Sequence, residues 1–166
     1  MKVLGLAGWS GAGKTTLIVK LIPELVGRGV SVSTIKHAHH AFDVDKPGKD
    51  SYRHREAGAT EVLVASEHRW ALMHEHRGEA EPDAAALMRH MTPVDLLLIE
   101  GFKREAHDKL EIFRRDLGKP LLSAGAPSFV AILSDGPVPE SDLPVIDLDD
   151  VTVIADFIIR HCQLQR

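Results

Sequence analysis

Short apolar runs alternate along this chain with stretches in which apolar residues recur every three or four positions. Lys2–Gly8 is a short apolar run bounded by glycine, the pattern of a buried strand. Beyond a polar loop, Leu17, Ile18, Leu21, Ile22, Leu25 and Val26 recur at helical spacing and define one buried face. Pro23 lies inside that pattern, where it removes a backbone donor and predicts a kink. Gly27 and Gly29 then supply the stop, and residues 30–36 read as a second strand. Residues 37–51 show no period and are dense in polar groups, so they read as a loop, with a short helix over 51–58 behind it.

Glu61–Ala65 and residues 69–75 read as two strands joined by a turn around Glu67 and His68. Residues 83–91 read as a helix with Asp83 near its N-terminus, and 94–99 as an almost unbroken apolar strand ending at Glu100-Gly101. Lys109–Phe113, 129–133 and 145–148 are further strands. Asp149 and Asp150 are candidate caps for a final helix whose apolar face is Val153, Ile154, Phe157 and Ile158. The alternation predicts an α/β fold, a mostly parallel sheet with helices on both faces, extended by the antiparallel pair at 61–75.

Composition narrows the function classes. A length of 166 residues suits a single domain with a substantial core, and 44% hydrophobic with 27% charged residues is ordinary for a soluble globular chain. The net charge of -4 argues against a general nucleic-acid binder, which would carry a basic surface. The lone Cys162 excludes an intrachain disulfide and fits a reducing compartment; on a terminal helix it reads as a packing residue. No apolar run approaches the roughly 18–20 residues of a membrane span. Gly8 and Ser10 interrupt the apolar start, which reads as a first strand and not a signal peptide. The expected location is cytoplasmic, with no membrane and no nucleic-acid partner.

Gly8-Trp9-Ser10-Gly11-Ala12-Gly13-Lys14-Thr15 satisfies the P-loop pattern G-x-x-x-x-G-K-[ST], and Thr16 follows it into the helix. Glycines let the backbone wrap a phosphate so that successive N–H groups point inward at the positive end of the next helix. Lys14 is placed to reach the β- and γ-phosphates, and the Thr15 hydroxyl to ligate Mg²⁺. The motif follows a predicted strand and opens an amphipathic helix, the context that separates it from a glycine-rich turn. It makes the fold P-loop NTPase-like, one nucleotide-binding domain over 1–166.

A Mg²⁺ site of this kind also needs a carboxylate at the end of a neighbouring buried strand. Glu100 supplies it, whereas Asp95 lies at the wrong end, about 16 Å away at strand rise. Lys14 and Glu100 are therefore the candidate catalytic pair, with Thr15 and Glu100 the metal ligands. No Asn-Lys-x-Asp motif identifies the base. Asp135 could present a carboxylate to the guanine donors, and a plain turn over 134–137 is the equal alternative. Between His37 and Ser51 stand three histidines, three aspartates and two of the chain's lysines. An anion- or nucleotide-facing loop, a metal pair at His37 and His39, and a solvated loop all remain open. His74 and His76 read as one face of a solvated strand.

Taken together these residues resemble the molybdopterin-guanine dinucleotide biosynthesis adaptor proteins, MobB. The resemblance runs through nearly the whole chain. It rests on the P-loop stretch from Ala7 to Thr16, on Ile35-Lys36-His37-Ala38-His39-His40, and on Asp43-Val44-Asp45-Lys46-Pro47-Gly48-Lys49-Asp50-Ser51. Glu100-Gly101-Phe102-Lys103, Ala57-Gly58-Ala59 and Ala65-Ser66-Glu67-His68-Arg69-Trp70-Ala71 also match. The P-loop is generic; the aspartate-rich stretch and Glu-Gly-Phe-Lys are far more specific.

The resemblance implies GTP binding with Mg²⁺, slow GTP hydrolysis and a homodimer. It also implies a place beside the guanylyltransferase that joins GMP to molybdopterin. His37, His39, His40, Asp43, Asp45, Lys46, Lys49, Asp50, Ser51, Arg53 and Lys103 are then candidate ligand or partner residues. Residues 104–128 carry no obvious motif. A metallochaperone-type GTPase would explain the histidines but should carry Asn-Lys-x-Asp and a cysteine-containing metal motif. A small-molecule kinase should carry an arginine-rich lid, for which only Arg114-Arg115 is close, and it follows a strand. No water-orienting glutamine or arginine finger is recognisable near the loop.

Overall fold

The computed structural model describes residues 1–38, 42–103 and 105–165. The chain divides into two compact units, one formed by 1–37 with 91–166 and the other by 38–90. Each is described separately.

The first unit is built on a six-stranded sheet of β1 (Lys2–Gly8), β2 (Val32–Lys36), β5 (Leu96–Glu100), β6 (Lys109–Phe113), β7 (Phe129–Ser134) and β8 (Val145–Asp147). The spatial order is β2-β5-β1-β6-β7-β8, and every neighbouring pair is parallel. Parallel strands need crossovers: α1 (Lys14–Gly27) links β1 to β2, the second unit lies between β2 and β5 in sequence, and irregular segments link the remaining strands, while α4 (Val151–His161) follows the last strand. Even-numbered positions on the central strands, Leu4, Leu6, Leu96, Leu98, Leu110 and Ile112, point to one face with Ala131 and Leu133 of β7. Leu17, Ile18, Leu21 and Leu25 of α1 and Ile154, Ala155, Ile158 and Ile159 of α4 cover that face. Each such leucine or isoleucine contributes roughly 1.5–3 kcal/mol by leaving water.

Both helices of this unit share that one face of the two expected to carry helices. On the other, Phe113 and Ile132 meet Val138, with Leu121 and Leu143 from irregular segments. The same side of β6 buries two charges fully, Lys109 and Glu111. Lys109 Nζ donates to the carbonyls of Glu105 and of His107 (2.8 Å) and to the Ser128 hydroxyl. Glu111 accepts the backbone N–H groups of Leu122 at 2.7 Å and Ser123 at 2.8 Å.

Helix α1 continues through Pro23 to Gly27. The carbonyl that loses a donor belongs to Val19, which is exposed, so water can replace the missing bond. The helix closes through N–H groups of Arg28 and Gly29 onto Leu25 and Val26. Helix α4 is capped by Asp150, which accepts the Val153 N–H at 3.0 Å. Its buried face is turned from the expected one: Ala155 and Ile159 are inside, Val153 is exposed, and Phe157 stacks on His161. β2 starts at Val32 and not at residue 30, because Ser31 is taken by Asp95, whose carboxylate accepts both its N–H and its hydroxyl. Among the described residues no helix is long and apolar enough to cross a membrane.

The second unit contains α2 (Asp50–Glu56), an antiparallel hairpin of β3 (Glu61–Ala65) and β4 (Trp70–His74), and α3 (Ala84–Met88). The hairpin pairs Glu61 with His74 and Ala65 with Trp70, and forms a two-stranded sheet of its own. α3 is shorter than the 83–91 expected, and Asp83 caps it by accepting the Ala86 N–H at 2.7 Å. Apolar burial is slight: among the described residues only Val62 and Ala84 are buried. Polar bonds take over. Arg55 pairs with Asp43 at 2.8 Å, Glu75 at 2.9 Å and Asp45 at 3.4 Å.

Candidate functional site

The strand order sets where the site can be. β1 is followed by a helix leading to β2 on one side, while β6 lies on the other, so a crevice opens at the C-terminal end of β1 between β5 and β6. The P-loop leaves β1 at that point. Gly13 caps α1 with φ +99°, a left-handed conformation that a side chain would strain, and Gly11 shares the sign at +82°. No side chain caps α1 and no acid stands in its first turn. Its first N–H groups and the positive end of its dipole are therefore left for an anion.

Lys14 Nζ bends back over the loop and donates to the carbonyls of Gly8 at 3.0 Å and Trp9 at 3.1 Å. Partial burial holds its pKa below the ordinary lysine value; Glu100 opposes that shift, and Lys103 and Lys36 add to it. An arriving phosphate would oppose the shift as Glu100 does. Trp9 Nε1 donates to the Pro120 carbonyl at 2.8 Å, and the ring carries the ammonium groups of Lys103 at 4.8 Å and Lys119 at 5.9 Å. Ser10, Gly11 and Ala12 complete the turn, where the Ala12 N–H donates to the Trp9 carbonyl at 3.1 Å. Thr16 lies in the first turn of α1.

Glu100 is the last residue of β5, paired in register with Leu6 of β1 and Lys36 of β2. Its Oε1 accepts the Thr15 hydroxyl at 3.3 Å, and its Oε2 faces Lys36 Nζ at 3.7 Å. The two residues expected to share a metal do meet. Asp95, at the other end of the strand, is held by Ser31. After Glu100 the chain turns sharply: Gly101 has φ +101°, and a Cβ there would come within 2.7 Å of His37 Cβ. His37 donates its N–H to the Glu100 carbonyl at 2.8 Å, and its ring packs against Phe102 in a tilted arrangement with centroids 4.6 Å apart. His37 and Lys103 thus belong to the surroundings of Glu100.

Arg114, weighed in the sequence only as half of a lid candidate for a kinase, is the residue missing from the candidate site. It follows β6, and its guanidinium donates to the Ala12 carbonyl of the P-loop at 3.2 Å and to Asp135 at 2.9 Å. Its neighbour Arg115 turns instead to the Pro137 carbonyl. The only sequence signal was the Arg114-Arg115 pair after a strand. Asp135, expected at the base, is partnered by that arginine.

The other candidates lie in the second unit, except His39 and His40, which fall outside the described residues. Asp43 and Asp45 bind Arg55, and Asp45 also accepts the Ser51 hydroxyl and the Lys46 N–H, each at 2.9 Å. Lys46, Lys49, Asp50 and Arg53 are exposed. Among the described residues no group of three or more His, Cys, Asp or Glu converges as a metal site would require.

Comparison with known proteins places these features in context. The family profile described as "Molybdopterin guanine dinucleotide synthesis protein B" matches residues 3–135. The chain is 46% identical to a molybdopterin-guanine dinucleotide biosynthesis adapter protein of Escherichia coli (strain K12), over 98% of this chain and 94% of that one. It is 44% identical to the protein of the same description from Haemophilus influenzae, over 94% and 86%. Among solved structures, the chain is similar to a molybdopterin-guanine biosynthesis protein B at TM-score 0.75 and 26% identity, over 97% and 99% of the two chains. It is similar to the Bacillus subtilis MobB at TM-score 0.74 and 25% identity, over 99% of each.

Proposed function

The chain belongs to the family of molybdopterin guanine dinucleotide synthesis protein B, and on that premise we propose that it is a GTP-binding adaptor with weak, Mg²⁺-dependent GTPase activity. In this reading it assists the attachment of GMP to molybdopterin, acting as a homodimer beside the guanylyltransferase. The adapter role is the printed description of the Escherichia coli and Haemophilus influenzae relatives.

The observation that carries the nucleotide part is the uncapped N-terminus of α1, with Lys14 over the loop and Thr15 beside Glu100. The loop N–H groups would bind phosphate oxygens, with Lys14 exchanging the Gly8 and Trp9 carbonyls for the β- and γ-phosphates. Lys36 and Lys103 add positive charge to the same end of the sheet. Thr15 and Glu100 fit Mg²⁺, a hard cation that prefers oxygen donors, because their oxygens already stand 3.3 Å apart. Bound there, the ion would neutralise charge on the phosphates.

Titration of a fluorescent GTP analogue with and without Mg²⁺ tests this reading. Lys14→Ala should abolish tight binding. Thr15→Ala should retain binding while removing most of its Mg²⁺ dependence. Unchanged affinity in Lys14→Ala would end the assignment.

A further inference from the structure

Arg114 and Asp135 stand just beyond the C-terminal ends of β6 and β7, on the side of β1 opposite Glu100. Arg114 Nε donates to the Ala12 carbonyl at 3.2 Å, and Nη1 donates to Asp135 Oδ2 at 2.9 Å. We propose that Arg114 is a positioning residue of the nucleotide site that holds the Ala12 carbonyl turned out of the phosphate cradle, and that Asp135 aims Arg114 rather than reading the base. This inference rests on the nucleotide-binding reading above.

The argument starts from the peptide plane. In a trans peptide the carbonyl and the N–H point in opposite directions. Fixing the Ala12 carbonyl toward Arg114 therefore fixes the Gly13 N–H toward the other side, where the cradle lies. Rotating that plane changes ψ of Ala12 and φ of Gly13, and glycine at 13 leaves the second of these free of any Cβ restriction. A rotated plane would aim the Ala12 lone pairs at the phosphate and withdraw one donor from it. Ala12 is itself buried, so its carbonyl depends on a protein donor, and Arg114 is the donor present.

Guanidinium suits the task because its planar fork presents several N–H groups in fixed directions. One direction is used on the loop and another on Asp135, so the carboxylate fixes the rotation of the fork. A carboxylate that reads guanine offers both oxygens to the N1 and N2 donors, whereas here Oδ2 accepts from Arg114, which gives Asp135 a protein partner that sets its direction. The two side chains are each about one-third exposed, at 35% and 31%, so solvent screens the pair and it contributes little to overall stability. Its consequence is the shape of the loop.

The test is equilibrium binding of GTP, ATP and XTP in Mg²⁺ to the wild type, Arg114→Ala, Asp135→Asn and the double variant. Arg114→Ala should weaken every nucleotide that the wild type binds by a common factor of about tenfold or more, the effect of a lost charge-assisted hydrogen bond. Asp135→Asn should weaken them by a smaller common factor. The double variant should be no worse than Arg114→Ala alone, because both substitutions break one chain of contacts. Arg114→Lys should recover part of the loss. A shift of Asp135→Asn toward XTP would mean that the carboxylate reads guanine and would overturn the proposal. So would wild-type affinity in Arg114→Ala. Should Arg114→Ala fail to fold, the near-isosteric Asp135→Asn still decides through its XTP preference. A wild-type chain that binds none of the three nucleotides would instead remove the nucleotide reading, and this inference with it.

Discussion

Glu111 occupies the middle of β6 with no exposed surface, a position where an unpaired carboxylate would be intolerable. Each oxygen accepts a backbone N–H, from Leu122 and from Ser123, so the charge ties an irregular segment to the sheet. Glu111→Ala should strand both donors and lower stability by on the order of 2–4 kcal/mol, measured as a reduced urea midpoint. Glu111→Gln, which keeps one good acceptor, should lose less. Equal midpoints for the alanine variant and the wild type would show that water reaches those N–H groups. Cys162 illustrates the opposite case: burial pushes its thiol up to about 11, in keeping with a packing residue.

At the scale of elements, the second unit depends on Arg55. This side chain of α2 gathers Asp43 and Asp45 from the loop and Glu75 from the end of the hairpin. The loop aspartates, expected to serve a ligand, are thus engaged first in holding their own unit. Arg55→Ala should speed amide exchange throughout α2 and the hairpin while leaving β1, β5 and β6 protected. Uniform protection across all of them would contradict that role.

Asp43 makes the same network sensitive to acid. The Asp45 N–H, and then the Arg55 guanidinium, hold its carboxyl below the ordinary aspartate value. A depressed native pKa stabilises the fold above the unfolded value, near 3.9 for aspartate, and that contribution is lost as pH falls through the native one. Protection of the α2 amides, taken relative to their intrinsic exchange rate at each pH, should therefore fall on acidification into that range, and less so in Asp43→Asn. An identical acid response in the variant would assign the effect elsewhere.

For the whole molecule, the proposed GTPase should be slow. Phosphoryl transfer needs a positioned water and extra positive charge beyond the loop lysine and the metal. Among the described residues the guanidinium that bonds to the loop is that of Arg114, and it is occupied by Ala12 and Asp135. A P-loop GTPase without an arginine finger turns over at roughly 10⁻⁴–10⁻³ s⁻¹, and a supplied finger adds about 10⁵-fold. Single-turnover hydrolysis by the isolated chain should fall well below about 1 s⁻¹ and rise when the guanylyltransferase is added. A rate near 10 s⁻¹ for the chain alone would reveal a complete catalytic set.

Much of this protein was legible in its residues. The strand Lys2–Gly8, the P-loop and the amphipathic helix behind it are contiguous, and local periodicity with glycine placement is enough to specify them. Glu100 was separable from Asp95 because a strand has two ends and only one can adjoin the loop. The tertiary structure alone decided the order β2-β5-β1-β6-β7-β8, the turned face of α4, and the burial of Lys109 and Glu111 in a strand that reads as apolar alternation. It alone brought Arg114 to Ala12, 102 residues away along the chain. Periodicity records which face of an element is apolar. It does not record which carbonyl or carboxylate a charged side chain meets, because that partner is delivered by strand pairing between distant segments.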